Sequence, residues 1–280
     1  MGKFEQGLDR RPAHDQPLTP VTLVERSAWI YRSKPAVLYG DRRTLYPEFY
    51  ARCRRLASAL RRSGVEAGDT VSVLAPNIRA MPEAHFGVPM AGAVLNKINI
   101  RLDARTVAQC LEHGEAKVFL VDREFSTLAG EASAVLSREP AVIDIEDSEA
   151  SSGERLGTLT YEALLNEGDP ESAWTPPEDE WAPIALNYTS GTTGNPKGVV
   201  YTPTEARVWP ASVAPWLWRC RPGACTFGRC TCFTATAGVS RGASRQWAAP
   251  MSAWAGSMPD RSSASSASTA SPTFAGRPSF

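Results

Sequence analysis

A mostly parallel, doubly wound α/β sheet is the fold the sequence predicts, and three observations predict it. Between residues 70 and 145, apolar runs of strand length alternate with stretches whose apolar residues fall at helical spacing, the pattern of βαβ units. Two further apolar runs, Ile184-Ala185-Leu186 and Val199-Val200-Tyr201, flank a loop of glycines and hydroxyl-bearing residues. After Tyr201 the composition changes so sharply that the sheet should end there. The sequence therefore divides into an extended arm over residues 1–20, a partial α/β domain over residues 21–202 and a low-complexity tail over residues 203–280.

Taken in order, the arm is rich in proline and charge up to Pro20. Val21, Val24, Ala28 and Tyr31 then fall at helical spacing and predict a first helix to Arg32. Ala36–Tyr39 and Thr44–Tyr46, joined through Gly40-Asp41-Arg42-Arg43, predict a hairpin. Pro47 opens a long helix to about Ser63, proline being tolerated in a first turn. Its inner face is Phe49, Cys53, Leu56, Ala57 and Leu60, and Arg52, Arg54, Arg55, Arg61 and Arg62 are expected mostly on a solvated outer face.

Gly68-Asp69 turns into a strand over 70–75, which Pro76-Asn77 ends. A helix over 80–88 should stop or kink at Pro89, and Gly92–Leu95 reads as the next strand. The alternation continues with a helix over 103–113, a strand over 117–122, a helix over 126–137 and a strand over 141–144. Residues 145–180 are acidic and rich in proline and serine, and predict a surface connection with one short helix over 161–166. Cys53 and Cys110 fall on helices as reduced, partly buried thiols. His85 and His113 also fall on helices, in structural or solvent-facing roles rather than catalytic ones.

Thirty basic and thirty acidic side chains give zero formal charge, so no polyanion is an evident partner and nucleic-acid binding is not expected. No run approaches the length of a membrane helix, and Met1–Gln6 holds neither an apolar signal core nor the Ser or Thr of a myristoylation signal. These features predict a cytoplasmic protein without membrane insertion.

The chemistry is concentrated in Thr189-Ser190-Gly191-Thr192-Thr193-Gly194-Asn195-Pro196-Lys197-Gly198. Backbone amides, hydroxyls and one ammonium can converge there on an anionic group, which makes it a phosphate-gripping loop. A plain flexible linker is the alternative, but linkers rarely place Pro-Lys-Gly between apolar runs. The common nucleotide-triphosphatase loop is excluded, because Pro196 stands where its glycine belongs and Gly198 where its hydroxyl belongs.

From Thr189 to Gly198 the loop resembles that of the adenylate-forming (AMP-binding) superfamily. Glu83–Leu95, Asn99–Asp103 and Trp181–Val200 look like its short- and medium-chain acyl-CoA synthetase branch. The resemblance covers residues 7–201. It implies an acid-CoA ligase, in which a carboxylic acid attacks the α-phosphate of ATP and the thiol of CoA then displaces AMP. Thr189, Ser190, Thr192 and Thr193, with the amides of Gly191 and Gly194, would wrap the β- and γ-phosphates. Lys197 would offset the charge on leaving pyrophosphate, with Mg sharing that work. No catalytic or metal-ligating residue is assigned.

From Pro203 to Phe280 there is no Lys, Ile, Asn, His or Tyr and a single leucine, Leu217, yet five of the eight Trp and four of the six Cys lie there. A metal site on Cys220, Cys225, Cys230 and Cys232 matches no usual zinc spacing. A flexible low-complexity tail is a second reading, resting on Ser262–Ser271. The third is a shifted reading frame beginning near Thr202. In one common offset, 203–207, 231–238 and 246–254 all permit peptides that resemble family segments in the family's order. On that reading the chain as written is a partial ligase domain with little or no activity. The rival is a non-enzymatic fragment with weak nucleotide affinity.

Overall fold

The computed structural model describes residues 17, 19–147, 153–177, 179–189 and 196–203. Nearly all of the predicted arm, the loop residues Ser190, Gly191, Thr192, Thr193, Gly194 and Asn195, and the tail from residue 204 lie outside the described residues. Helix α1 is Pro20–Ile30, and Thr19 caps it by accepting from the Val21 amide at 3.3 Å. Val21, Val24 and Ala28 are buried as the spacing predicts. Tyr31 instead follows the helix as its C-cap and packs on Tyr46, with ring centroids 5.9 Å apart.

Strands β1 (Pro35–Tyr39) and β2 (Arg42–Leu45) form the hairpin, with Gly40 at φ +55° in the turn. Helix α2 (Tyr46–Arg62) carries Glu48 in its first turn and Arg61 and Arg62 in its last, charges placed to suit the helix dipole. Its predicted inner face is wholly buried. Then come β3 (Thr70–Leu74), α3 (Ala80–Met90), β4 (Val94–Lys97), α4 (Ala104–His113) and β5 (Ala116–Asp122). A 3-10 turn, Arg123–Phe125, leads to α5 (Ser126–Ser133), β6 (Ala141–Ile145), β7 (Leu159–Thr160), α6 (Tyr161–Glu167), β8 (Ala185–Thr189) and β9 (Lys197–Tyr201).

The main sheet runs β7-β6-β5-β3-β4-β8-β9. Every neighbouring pair is parallel except β8 and β9, which are antiparallel. Period-two alternation along β5 decides the layers. Val118 and Leu120 join the core under α1, α2, α3 and α6, whereas Phe119 and Val121 join the core under α4 and α5. Covered on both faces, β3 is buried at all five positions, as a central strand of a doubly wound sheet should be. The mostly parallel α/β expectation is met.

Several local expectations are corrected. Pro89 does not end α3 early, because it sits one residue from the helix end, where little helix remains to be disrupted. Gly92 and Ala93 are not strand but helix cap. Gly92 adopts φ +85°, its amide bonds Pro89 O at 3.0 Å and the Ala93 amide bonds Val88 O at 3.2 Å, a Schellman closure that glycine permits. Helix α5 stops at Ser133 rather than 137, consistent with the weak helical preference of its serines and glycine.

Residues 145–180 are more than a surface connection. They add β7 to the sheet edge, bury Tyr161, Leu164 and Leu165 from α6, and pack Trp174 on the core. The arginine run on α2 is correspondingly not a solvated face. Arg54 donates to Ser172 O at 3.0 Å, Arg61 to Ser172 Oγ at 2.8 Å and to Ala173 O at 2.9 Å, and Arg62 to Glu167 O. Arg52 reaches both Glu83 and Glu162 at 2.6 Å. The run reads as a solvated face in the sequence because all of these partners except Glu83 lie 105 to 118 residues away.

Candidate functional site

Strand β8 delivers Thr189 and β9 begins at Lys197, and the two are directly opposed partners at the end of the antiparallel ladder. Thr189 Oγ1 lies 3.5 Å from Lys197 O. Both side chains are exposed. The segment 190–195 therefore starts and ends at the mouth of a hairpin whose stem is hydrogen-bonded up to its last pair. The stem extends further than the apolar runs alone predict, because Asn187, Tyr188, Thr189, Lys197 and Gly198 also pair.

Period-two geometry sorts the groups around this mouth. Thr189, Lys197 and Asn187 share one face of the sheet, and Asn187 is in register with Lys97 of β4. Lys97 is buried, and burial lowers its ammonium to about 8. His85 on α3 faces the same region. Burial, followed by the charge of Lys97, pushes its imidazole down to about 4, and its Nδ1 lies 2.7 Å from Met81 O. His85 is therefore a partly buried imidazole that is neutral at neutral pH.

On the opposite face Tyr188 packs against the α4 layer, and its hydroxyl lies 2.8 Å from His113 Nδ1. Burial raises the Tyr188 phenol to about 12, so it keeps its proton at neutral pH. Gln109, Glu112, His113, Tyr188 and Pro196 line an open groove of about 270 Å³ beside the loop. Sequence reasoning missed Lys97 and the Tyr188–His113 pair. Lys97 lies in an apolar run with no motif to mark it, and the pair joins residues 75 positions apart.

Of the predicted loop residues, the structure brings Thr189 and Lys197 together. Ser190, Gly191, Thr192, Thr193 and Gly194 lie outside the described residues. Cys53 and Cys110 are free and buried, and burial raises both thiols. Among the described residues no group of three or more His, Cys, Asp or Glu side chains could hold a metal ion. No helix among them is long and apolar enough to cross a membrane.

A mostly parallel sheet wrapped by helices on both faces, continued at one edge by the antiparallel pair β8–β9, defines an α/β protein of the doubly wound class. The chain belongs to the AMP-binding enzyme family, whose model matches residues 24–242. It is 41% identical over 236 residues to the acetate–CoA ligase CCL3 of Humulus lupulus, covering 80% of this chain and 41% of the relative. It is 44% identical over 229 residues to the peroxisomal acetate/butyrate–CoA ligase AAE7 of Arabidopsis thaliana, covering 78% of this chain and 40% of the relative. The chain thus spans about two fifths of the length of these curated relatives. The fold is shared with the crystal structure of the anthranilate CoA ligase AuaEII in complex with anthranoyl-AMP, at a TM-score of 0.64 and 22% identity over 74% of this chain and 38% of that one.

Proposed function

We propose that this chain carries the phosphate-gripping part of an acid-CoA ligase, and that the chemistry it serves is ATP-dependent adenylation of a carboxylic acid followed by thioester formation with CoA. The observation that carries the reading is the β8–β9 hairpin, which opposes Thr189 and Lys197 at the mouth of the Thr189–Gly198 loop. Ligase activities named for the relatives, on acetate, butyrate and other small acids, support the substrate class. Nucleic acid has no part in it.

In the first step a carboxylate oxygen attacks the α-phosphorus of ATP, the bond to the bridging oxygen breaks, and pyrophosphate leaves with the electron pair. The loop's amides and hydroxyls hold the β- and γ-phosphates, and the Lys197 ammonium offsets the charge that grows on the leaving group. The described residues offer no acidic cluster for Mg, which accordingly enters this reading as the counter-ion of the nucleotide's phosphates, with no step assigned to it. Removing the ammonium tests the grip. Lys197→Ala should weaken MgATP binding, measured by calorimetry, by about tenfold or more, the worth of one charge-assisted contact. Unchanged affinity would sink the reading.

The proposal includes a reading frame that shifts near Thr202, so that the chain as written binds nucleotide without completing the ligase cycle. The composition of residues 203–280 supports it. The family match continues to residue 242, beyond Thr202, so the decision belongs to the coding DNA. Sequencing the source DNA across codons 195–260 should reveal one frame error, after which the corrected chain should show pyrophosphate exchange into ATP that depends on a carboxylic acid. An unaltered DNA sequence would refute the frame proposal, and exchange by the chain as written would refute its inactivity. A non-enzymatic fragment, the rival reading, predicts exchange from neither. A cytoplasmic location is part of the same proposal, set against the peroxisomal location carried in the name of the Arabidopsis relative.

A further inference from the structure

We propose that His113, acting through Tyr188, is the positioning residue that holds the mouth of the phosphate hairpin in place. The inference rests on reading Thr189–Gly198 as a phosphate grip. Among the described residues strand β9 is the last strand of the sheet and pairs on one side, with β8. Val199 and Val200 are exposed on it. An edge strand held by one ladder frays readily, yet this strand has to present Lys197 at a defined height opposite Thr189.

Helix α4 supplies a tether to β8, the strand to which β9 is paired. It is a firm platform, because Val107, Ala108, Cys110 and Leu111 are buried and Asp103 caps its start, accepting from the Thr106 amide at 2.9 Å. His113 stands in its last turn, 2.8 Å from the Tyr188 hydroxyl, with the two rings edge to face at 5.7 Å between centroids. Tyr188 is the register partner of Gly198, the residue after Lys197. A β-carbon at Gly198 would lie 3.1 Å from Leu186 Cδ1, 3.5 Å from Tyr188 Cε1 and 3.7 Å from His113 Cε1. The tight contact is with Leu186, and both rings lie at ordinary contact distance from this position of β9. By period-two alternation the rings lie on the face opposite Thr189 and Lys197, so the pair sets the hairpin's position without occupying the phosphate side.

The test combines two readouts on the full chain. Amide hydrogen exchange over residues 185–201, without nucleotide, reports the tether itself, and MgATP affinity reports its use. In His113→Ala, exchange in this segment should quicken about fivefold and MgATP should bind about fivefold more weakly, each the equivalent of one net hydrogen bond, while exchange in α4 stays unchanged. Tyr188→Phe should reproduce both effects and add nothing further in the His113→Ala background. His113→Asn, whose amide can replace Nδ1, should recover most of the loss. Unchanged exchange in His113→Ala overturns the tether whatever nucleotide does. Quickened exchange with unchanged affinity, in a chain that binds MgATP, overturns its role in the grip. Quickened exchange in a chain that binds no MgATP upholds the tether and overturns the phosphate reading instead.

Discussion

Arg52→Ala should destabilise the domain by about 3 kcal/mol, the cost of taking from a buried charge its nearest partner while Arg79, at 3.6 Å, and the Tyr161 hydroxyl remain. Glu83 is fully buried on α3. Its Oε1 accepts from Arg52 Nε at 2.6 Å, and its Oε2 accepts from Arg52 Nη2 at 3.2 Å and from the Tyr161 hydroxyl at 3.0 Å. Arg52 and Arg79 also reach Glu162 on α6, at 2.6 Å and 2.7 Å. The cluster therefore ties α2, α3 and α6 into one layer above the sheet, and losing Arg52 loosens all three.

The same cluster predicts how that penalty depends on pH. Burial pushes the Glu83 carboxyl above its ordinary range, while Arg52 is the strongest of the groups that pull it back. A carboxyl whose folded pKa is raised binds its proton more tightly in the folded chain. Stability accordingly falls as pH climbs from the ordinary Glu range through the raised value. Without Arg52 the upward push is less opposed, so the penalty should be larger at pH 8 than at pH 5. Glu83→Gln in the Arg52→Ala background should recover part of it. Urea unfolding at the two pH values measures this, and a penalty below about 1 kcal/mol at both would show that the charge pair is solvated after all.

The second large effect concerns a glycine. A β-carbon at Gly87 of α3 would fall 2.8 Å from Leu56 Cδ2, 3.0 Å from Leu56 Cβ and 3.0 Å from Cys53 O, with both Leu56 and Cys53 fully buried on α2. Backbone and core side chain both stand in the way, so neither can yield cheaply. Gly87→Val should cost at least about 3 kcal/mol through overpacking, despite the usual gain in helix propensity over glycine. Gly130 in α5 is the control. Its β-carbon would make only an ordinary contact of 3.6 Å with Leu156 Cδ2, so Gly130→Ala should stabilise by up to about 1 kcal/mol. Thermal unfolding that moved both variants in the same direction would refute the close α2–α3 approach.

Nearly every helix and strand was legible in the sequence, because periods of 3.6 and 2 are written in local spacing, and Pro47 marks a helix start. Thr189 and Lys197 were named from the sequence for a related reason, since the phosphate grip proposed for them needs its donors close together along the chain; the structure shows them as register partners. What stayed hidden depends on distant partners. Glu83 sits in an ordinary helical stretch, and nothing near it says that it will be buried between two arginines and a tyrosine 78 residues on. The arginines of α2 look like a solvated face until residues 161–174 fold over them. Gly92 reads as strand until the end of α3 requires a left-handed residue. The strand order, with β5 inserted beside β3 and β8 beside β4, and the His113–Tyr188 bond are likewise set by packing, because burial, register and pairing across the sheet are properties of the assembled layers that no local spacing encodes.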